Sequence, residues 1–166
     1  VSYPNALLIL VPRHPERFNT MFELCQQQDF ATVRRSSGAP VNAQTSVLLG
    51  DTMGELLFLY ALADSAFVGG SLVPNGGHNL LEPAALAKPV ISGPHLFNFL
   101  EIAAMMREAG ALREVEDAEG LAEEVRQLFE LPQDAQKMAQ AGLKVMQGNQ
   151  GALKRLLDGL DRLLHP

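Results

Sequence analysis

The chain has 166 residues, 47% hydrophobic and 19% charged, which is the composition of a globular protein rather than of a disordered segment. Its formal net charge of −6 argues against a surface that follows nucleic-acid phosphates, so we expect no nucleic-acid partner. No apolar run approaches the ~18 residues that cross a bilayer, and we expect this chain to be soluble. It begins with Val1 rather than methionine, and we expect it to be a fragment or a processed chain.

Apolar runs alternate with helical patterns along the chain. The predicted strands cover residues 6–11, 30–35, 46–50, 66–68, 89–92 and 111–115. The predicted helices cover residues 15–28, 53–63, 79–87 and 97–109, and the chain from residue 118 is helical with breaks near Pro132 and around residues 148–151. Asp51 and Thr52 are the predicted N-caps of the second helix. Cys25, the single cysteine, lies on the apolar face of the first helix, which predicts a buried structural thiol.

Six strands interleaved with helices predict an α/β fold, a doubly wound parallel six-stranded sheet. We expect one domain over residues 1–166, with the α/β core over about residues 1–147 and a C-terminal helix over residues 148–166. Ligands of such sheets bind beyond the carboxyl ends of the strands. If the strand order is 3-2-1-4-5-6, the loops after the first and fourth strands flank the point where the order reverses.

The unusual residues of the sequence follow the predicted strands at these ends. The segments are residues 12–17 after the first strand, 51–55 after the third, 69–83 after the fourth and 93–95 after the fifth. Their convergence at one edge of the sheet predicts a ligand site there.

The loop after the fourth strand is the most informative one. Gly76 and Gly77 allow close approach of the backbone to a ligand, and a helix that begins near Asn79 offers N–H groups to a phosphate. Glu82, in the first turns of that helix, is placed to accept hydrogen bonds from a ribose diol. The structural alternative makes the glycines a plain turn and Glu82 a residue that complements the helix dipole.

Two other loops supply further candidates. Arg13 can pair with a phosphate through its planar guanidinium, or can anchor the next helix through Glu16. His14 can donate a proton or bind phosphate, but a structural loop histidine is the favoured interpretation. The segment 53–55 opens the predicted second helix, where its backbone can hydrogen-bond a base edge while the Met53 side chain covers the base.

Several sites are excluded by missing motifs. The first strand is not followed by G-x-G-x-x-G, and the sequence has no G-K-[ST] triplet and no G-x-S-x-G elbow. His78 and His95 lack cysteine or carboxylate partners at ligand spacing, so we expect no metal site and no cofactor.

With these loops in place, the sequence resembles the C-terminal domain of the Kdo (3-deoxy-D-manno-octulosonic acid) transferases of lipopolysaccharide synthesis. The resemblance runs from about residue 6 to the helical tail. The matching stretches are residues 10–17, 51–56, 67–72, 76–84 and 93–99, and the stretch at 76–84, GGHNLLEPA, is long and specific.

The resemblance implies the Rossmann-like C-terminal half of a GT-B glycosyltransferase that moves Kdo from CMP-Kdo to a lipid A precursor, with inversion and without a metal. It implies that CMP is contacted by Pro12, Arg13, Met53, Gly54, Glu55, Asn79, Leu80, Leu81 and Glu82, with His14, Gly77 and His78 as further candidates. It also implies that the catalytic base and the acceptor site lie in an N-terminal domain at the cytoplasmic face of the bacterial inner membrane. Residues 148–166 would pack on that domain, and no catalytic residue is expected in this chain.

Two rival functions remain open from the residues themselves. The first is another GT-B transferase or epimerase that uses a UDP-sugar, and the identity of the bound nucleotide discriminates it. The second is a nucleotide-binding module without chemistry, which turnover of donor sugar by the whole protein would exclude.

Overall fold

The structure is a computed structural model that describes residues 3–149, apart from the side chain of residue 149. Within that range the chain forms six β-strands and six α-helices. The chain divides into two compact units, Val1–Leu62 and Ala63–Pro166. All strand pairs are parallel, which confirms the predicted α/β class.

The first unit is a three-stranded parallel sheet with two helices. Its elements are β1 (Leu8–Leu10), α1 (Phe18–Gln27), β2 (Thr32–Arg34), β3 (Val47–Leu49) and α2 (Leu56–Leu62), with 3-10 turns at Pro15–Arg17 and Arg35–Ser37. The strand order is β1-β3-β2. The predicted order, which placed the second strand beside the first, is wrong at this point. All three residues of β3 are buried, as suits a central strand, whereas the half-buried Thr-Val-Arg of β2 suits an edge.

Over its described residues, 63–149, the second unit is a three-stranded parallel sheet with four helices. Its elements are β4 (Ala66–Val68), α3 (Leu81–Ala85), β5 (Val90–Ser92), α4 (Leu100–Glu108), β6 (Leu112–Glu114), α5 (Ala118–Glu130) and α6 (Pro132–Asn149). The order is β4-β5-β6, as predicted. One core cluster centres on Leu80, Val90 and Met106, and a second on Ile91, Leu128 and Met138. Over residues 3–149, each unit thus contains one parallel sheet of three strands.

Four helices begin later than the sequence patterns predict. The helix α1 begins at Phe18 rather than Pro15, after the 3-10 turn at Pro15–Arg17. The helix α2 begins at Leu56 rather than Met53, and Asp51 is not its N-cap, because the Asp51 carboxylate is bound by Arg34 and Ser36. Gly54, at φ 81°, also interrupts the helical path. The helices α3 and α4 begin at residues 81 and 100 instead of 79 and 97.

Other boundaries follow the sequence closely. Gly110 ends α4 with φ 69°, and Pro132 begins α6. Cys25 is buried as predicted. The predicted break at residues 148–151 and the helix from residue 148 fall almost entirely outside the described residues. Over residues 3–149, no helix is both long and apolar enough to span a membrane.

Candidate functional site

The loops after β1 and β3 leave one edge of the first unit's sheet. Pro12 is half-buried, while Arg13 and His14 are exposed. The imidazole Nδ1 of His14 lies 3.9 Å from Glu16 Oε1, and both side chains are more than half exposed, so this pair is weak. Because β1 and β3 are neighbouring parallel strands, residues 12–14 and the segment after β3 leave the sheet at the same edge.

Asp51 is the buried polar centre of this edge. Its side chain is 1% exposed. The carboxylate accepts hydrogen bonds from Arg34 Nε at 2.6 Å, Ser36 N at 2.8 Å and Ser36 Oγ at 2.5 Å. Burial by itself raises the pKa of Asp51, but the bonds from Ser36 and Arg34 outweigh it and hold the pKa below its ordinary value. Asp51 is therefore an ionised structural anchor at neutral pH.

Glu55 closes the exposed turn that carries Met53 and Gly54. One carboxylate oxygen accepts the Thr52 hydroxyl, and the other accepts Arg35 Nη2 at 2.8 Å. The hydrogen bond from Thr52 is the main cause of a lowered pKa at Glu55, and the charge of Arg35 adds to it. Met53, at 67% exposed, projects from the turn, so its side chain and the adjacent backbone are open to a ligand.

In the second unit, Ser71 holds the loops after β4 and β5 together. Its fully buried hydroxyl donates to Val68 O at 2.6 Å and accepts from Gly93 N at 2.8 Å, while Ser71 O accepts from His95 N at 3.0 Å. At Gly93 a Cβ would lie 2.6 Å from Leu72 N and closer still to the Ser71 carbonyl. Only glycine fits where these two loops touch.

Gly76 and Gly77 approach the protein itself. Both adopt left-handed φ angles, 87° and 74°. A Cβ at Gly76 would lie 2.7 Å from Phe97 Cε2, and one at Gly77 would lie 2.6 Å from Leu96 Cδ2. Asn98 also donates its backbone N–H to Gly76 O at 3.3 Å. The turn alternative therefore has a definite physical basis: these glycines let the loop after β5 lie directly against the loop after β4.

Asn79 and Glu82 are linked at the start of α3. Asn79 Oδ1 accepts the Leu81 N–H at 3.0 Å, and Asn79 Nδ2 donates to Glu82 Oε1 at 3.3 Å. Both side chains are half-buried, while Leu80 is fully buried in the core. The His78 ring lies against Gly70, where a Cβ would be 3.2 Å from Nε2. Glu82 thus has a carboxylate beside solvent with one long hydrogen bond, which leaves its second oxygen available to a ligand.

The predicted site residues thus form two groups, one in each unit. The first holds residues 12–14 and 53–55 at neighbouring strand ends, and the second holds residues 77–82 at the entrance to α3. In the described part of the chain, no group of three or more His, Cys, Asp or Glu side chains is arranged to hold a metal ion.

Sequence reasoning missed the residues that support these groups. Arg34 and Arg35 were assigned to the second strand, and Asn98 to a helix, although they bind the segments after β3 and β4. Their position in the sequence could have identified Arg34 and Arg35. The second strand also ends in polar residues, and ligand sites of such sheets lie beyond the carboxyl ends of the strands.

Comparison with known proteins identifies the family. The family model described as "Glycosyl transferases group 1" matches residues 25–145. The 3-deoxy-D-manno-octulosonic acid transferase of Haemophilus influenzae is 49% identical over 158 residues, which is 95% of this chain and 37% of that protein. The enzyme of that name from Bordetella pertussis is 42% identical over 159 residues, again 95% of this chain and 37% of the relative. The chain therefore spans little more than a third of these relatives' length.

A solved structure matches the fold as well. The crystal structure of the C-terminal CMP-Kdo binding domain of WaaA from Acinetobacter baumannii superposes with a TM-score of 0.85 at 41% identity, over 88% of this chain and 76% of that one. The α/β fold is that of the C-terminal half of a GT-B glycosyltransferase. This chain belongs to the group 1 glycosyltransferases and, within them, to the 3-deoxy-D-manno-octulosonic acid transferases, whose C-terminal domain it matches.

Proposed function

We propose that this chain is the donor-binding half of an inverting, metal-independent transferase that moves Kdo from CMP-Kdo to a lipid A precursor. The observation that carries the proposal is the likeness, over 88% of the chain, to a domain described as binding CMP-Kdo. The parent enzyme would act at the cytoplasmic face of the bacterial inner membrane, and its N-terminal half would hold the acceptor and the catalytic base.

In the first unit, the turn at residues 53–55 would contact the cytosine and Arg13 the phosphate. The Met53 side chain is exposed and the turn is held from behind by Glu55, so a flat base can lie against a preformed surface. Arg13 is exposed at the end of β1, where its guanidinium can meet a phosphate from solvent. Pro12 fixes the backbone before it, and His14 would add a further polar contact.

In the second unit, residues 77–82 would contact the ribose and the phosphate. The helix α3 has five residues, so its dipole is smaller than that of the nine-residue helix predicted from the sequence. Asn79 already accepts the Leu81 N–H, which removes one donor from a ligand. The site in this unit consequently depends on Glu82, whose carboxylate would accept hydrogen bonds from the ribose hydroxyls.

These residues would have to stabilise the charge of the leaving CMP. CMP leaves with a single phosphate, so one arginine and oriented backbone donors can stabilise its charge with little reorganisation. No catalytic residue is assigned to this chain, and we expect neither a metal nor a cofactor. The UDP-sugar and regulatory alternatives gain no support from the relatives, which carry the name of Kdo transferases.

A nucleotide titration tests the proposal. Calorimetry of the 166-residue chain in EDTA should show binding of CMP in preference to UMP and AMP. The affinity should be weak, because one half of a two-domain cleft offsets little of the cost of association. Preference for UMP would favour the UDP-sugar alternative, and binding that requires added Mg²⁺ would contradict a metal-free phosphate site.

A further inference from the structure

Two arginines at the end of β2 fix both ends of the segment 51–55. Arg34 binds Asp51 at the start of that segment, and Arg35 binds Glu55 at its end. The two arginines are consecutive, and the carboxylates they bind are four residues apart in the next strand's loop. Because β2 and β3 are paired in parallel, the two loops leave the sheet side by side.

Arg34 makes the contact to Asp51 and is held by several other groups. Its Nε donates to Asp51 Oδ2 at 2.6 Å, its Nη1 donates to Asn19 Oδ1 at 2.9 Å, and its guanidinium carbon lies 5.4 Å from the Phe22 ring centroid. A guanidinium with a carboxylate, an amide and an aromatic face around it has little freedom left for a ligand. Arg34 therefore belongs to the framework.

Arg35 serves the second contact, which borders the open turn. Its Nη2 lies 2.8 Å from Glu55 Oε1, while Glu55 Oε2 accepts the Thr52 hydroxyl. Met53 and Gly54 lie between Thr52 and Glu55, so the hydrogen bond from the Thr52 hydroxyl to the Glu55 carboxylate joins the two ends of this turn. The Arg35 and Glu55 side chains are 39% and 31% exposed, so the pair stands at the surface beside the turn rather than in the core.

We propose that Arg35 is a positioning residue for donor binding: it acts through Glu55 to hold the Met53–Gly54 turn in the shape that accepts the cytidine. The proposal rests on the proposed function, since it takes this turn as part of the nucleotide site. Arg35 lies at the end of β2, outside the stretches that carry the family resemblance. The sequence patterns predicted no ligand role for that strand end.

The chain offers a closely matched control pair. Arg107 binds Glu114 with side-chain exposures of 41% and 28%, almost those of Arg35 and Glu55. Arg107→Ala removes a surface ion pair that has two hydrogen bonds rather than one, and it lies on α4, whose residues carry no proposed ligand contact. Any general effect of losing a surface ion pair should therefore be at least as large in Arg107→Ala as in Arg35→Ala.

Titrations of the 166-residue chain with CMP and with cytidine, followed by NMR, separate positioning from direct contact. Arg35→Ala should weaken both ligands by the same factor, about two- to fivefold, which is the range that a surface ion pair can supply. Arg107→Ala should weaken neither. In a Glu55→Gln background, Arg35→Ala should have little further effect, because the group through which it acts has lost its charge. Arg35→Lys should restore part of the affinity.

Other results would overturn the proposal. Weakening of CMP but not of cytidine would make Arg35 a direct phosphate ligand, and unchanged affinity for both would remove it from the site. Amide hydrogen exchange provides a test without ligand: Arg35→Ala should speed exchange over residues 52–55 relative to Arg107→Ala, and equal rates would refute the positioning role. If the wild-type chain bound no CMP, but amide exchange over residues 52–55 still became faster in Arg35→Ala, the proposed function would fail. The conclusion that Arg35 stabilises the turn would remain valid.

Discussion

Glu82 is the residue at which a ligand role and a structural role predict opposite results. In Glu82→Gln the shape is retained but the charged acceptor for the ribose hydroxyls is lost. A hydrogen bond to a charged group is worth about 1.5–3 kcal/mol, so CMP affinity should fall by roughly tenfold to a hundredfold. Fold stability should change little, because Glu82 is half-buried with one long bond to Asn79. Calorimetry with CMP and urea denaturation measure the two effects.

Two comparisons sharpen that test. Glu101 is also an acidic residue in the first turn of a helix in the second unit, and Glu101→Gln should leave CMP affinity unchanged. The wild-type chain should favour CMP over 2′,3′-dideoxy-CMP, and Glu82→Gln should lose this preference because the diol has lost its partner. A mutant that kept the wild-type margin would show that Glu82 is not the ribose ligand.

Asp51 makes the first unit sensitive to acid. Its pKa in the folded chain lies below the ordinary value of 3.8, so ionisation is favoured by folding. This stabilising contribution is present above pH 3.8 and is lost as the pH falls through the folded pKa. At pH 7, Asp51→Asn should reduce the free energy of unfolding by about 1–3 kcal/mol, since Arg34 and Ser36 lose a charged acceptor.

Urea denaturation at several pH values measures that difference. The difference in free energy of unfolding between wild type and Asp51→Asn should narrow below pH 3.8, because the carboxyl of the unfolded chain takes up a proton there while that of the folded chain is still ionised. A gap that stayed constant down to full protonation would mean that the Asp51 charge contributes nothing and that only its shape matters.

Among the structural elements, the contact between the loops after β4 and β5 sets the tightest packing constraint. Gly93→Ala should cost about 2–3 kcal/mol of stability, because the added methyl meets backbone atoms of Ser71 and Leu72. Gly110→Ala is the control: Gly110 has a left-handed φ of 69° but nothing within 4 Å, so it should cost about 1 kcal/mol. Urea denaturation midpoints, compared at equal m-values, measure both losses of stability. Equal losses in the two variants would contradict a tight contact at Gly93.

Local patterns predicted the existence of the elements better than their ends. Every predicted strand is present, because each apolar run between turn residues is long enough to specify one. The start of α2 was missed by three residues because the Asp51 carboxylate, a good N-cap by its chemistry, is bound by Ser36 and Arg34, which lie 15 and 17 positions away in the sequence. Such non-local partners carry no periodic signal.

Pairing of the strands was also beyond the local patterns. The order β1-β3-β2 follows from which strand is buried on both faces, and the runs at β1 and β3 are both apolar enough to be central. The sequence located the candidate residues at strand ends, but it did not locate Arg34, Arg35 or Asn98, which support them. The predicted and the observed orders both place strand two beside strand three and strand four beside strand five. These contacts therefore depend on the paths of the loops beyond the strand ends, which local patterns do not encode.

At the scale of the whole molecule, the chain spans about 37% of the length of its Haemophilus and Bordetella relatives, yet each unit has its own parallel sheet with buried apolar residues. We therefore expect the 166-residue chain to fold and bind CMP while transferring no Kdo. Binding of CMP requires only the donor-binding residues of this chain. Transfer of Kdo also requires an acceptor and a base that are oriented against the donor, and such orientation can lower the activation barrier by roughly 7–11 kcal/mol.

The measurement is Kdo transfer from CMP-Kdo to a lipid A precursor by this chain alone, in parallel with a full-length relative as the positive control. A cooperative urea transition and CMP binding by the same preparation would show that inactivity is not misfolding. Addition of the N-terminal half of that full-length relative as a separate polypeptide should restore some turnover if the two polypeptides associate. Substantial turnover by the chain alone would overturn the division of labour proposed here, because the base and the acceptor site would then have to lie within these 166 residues.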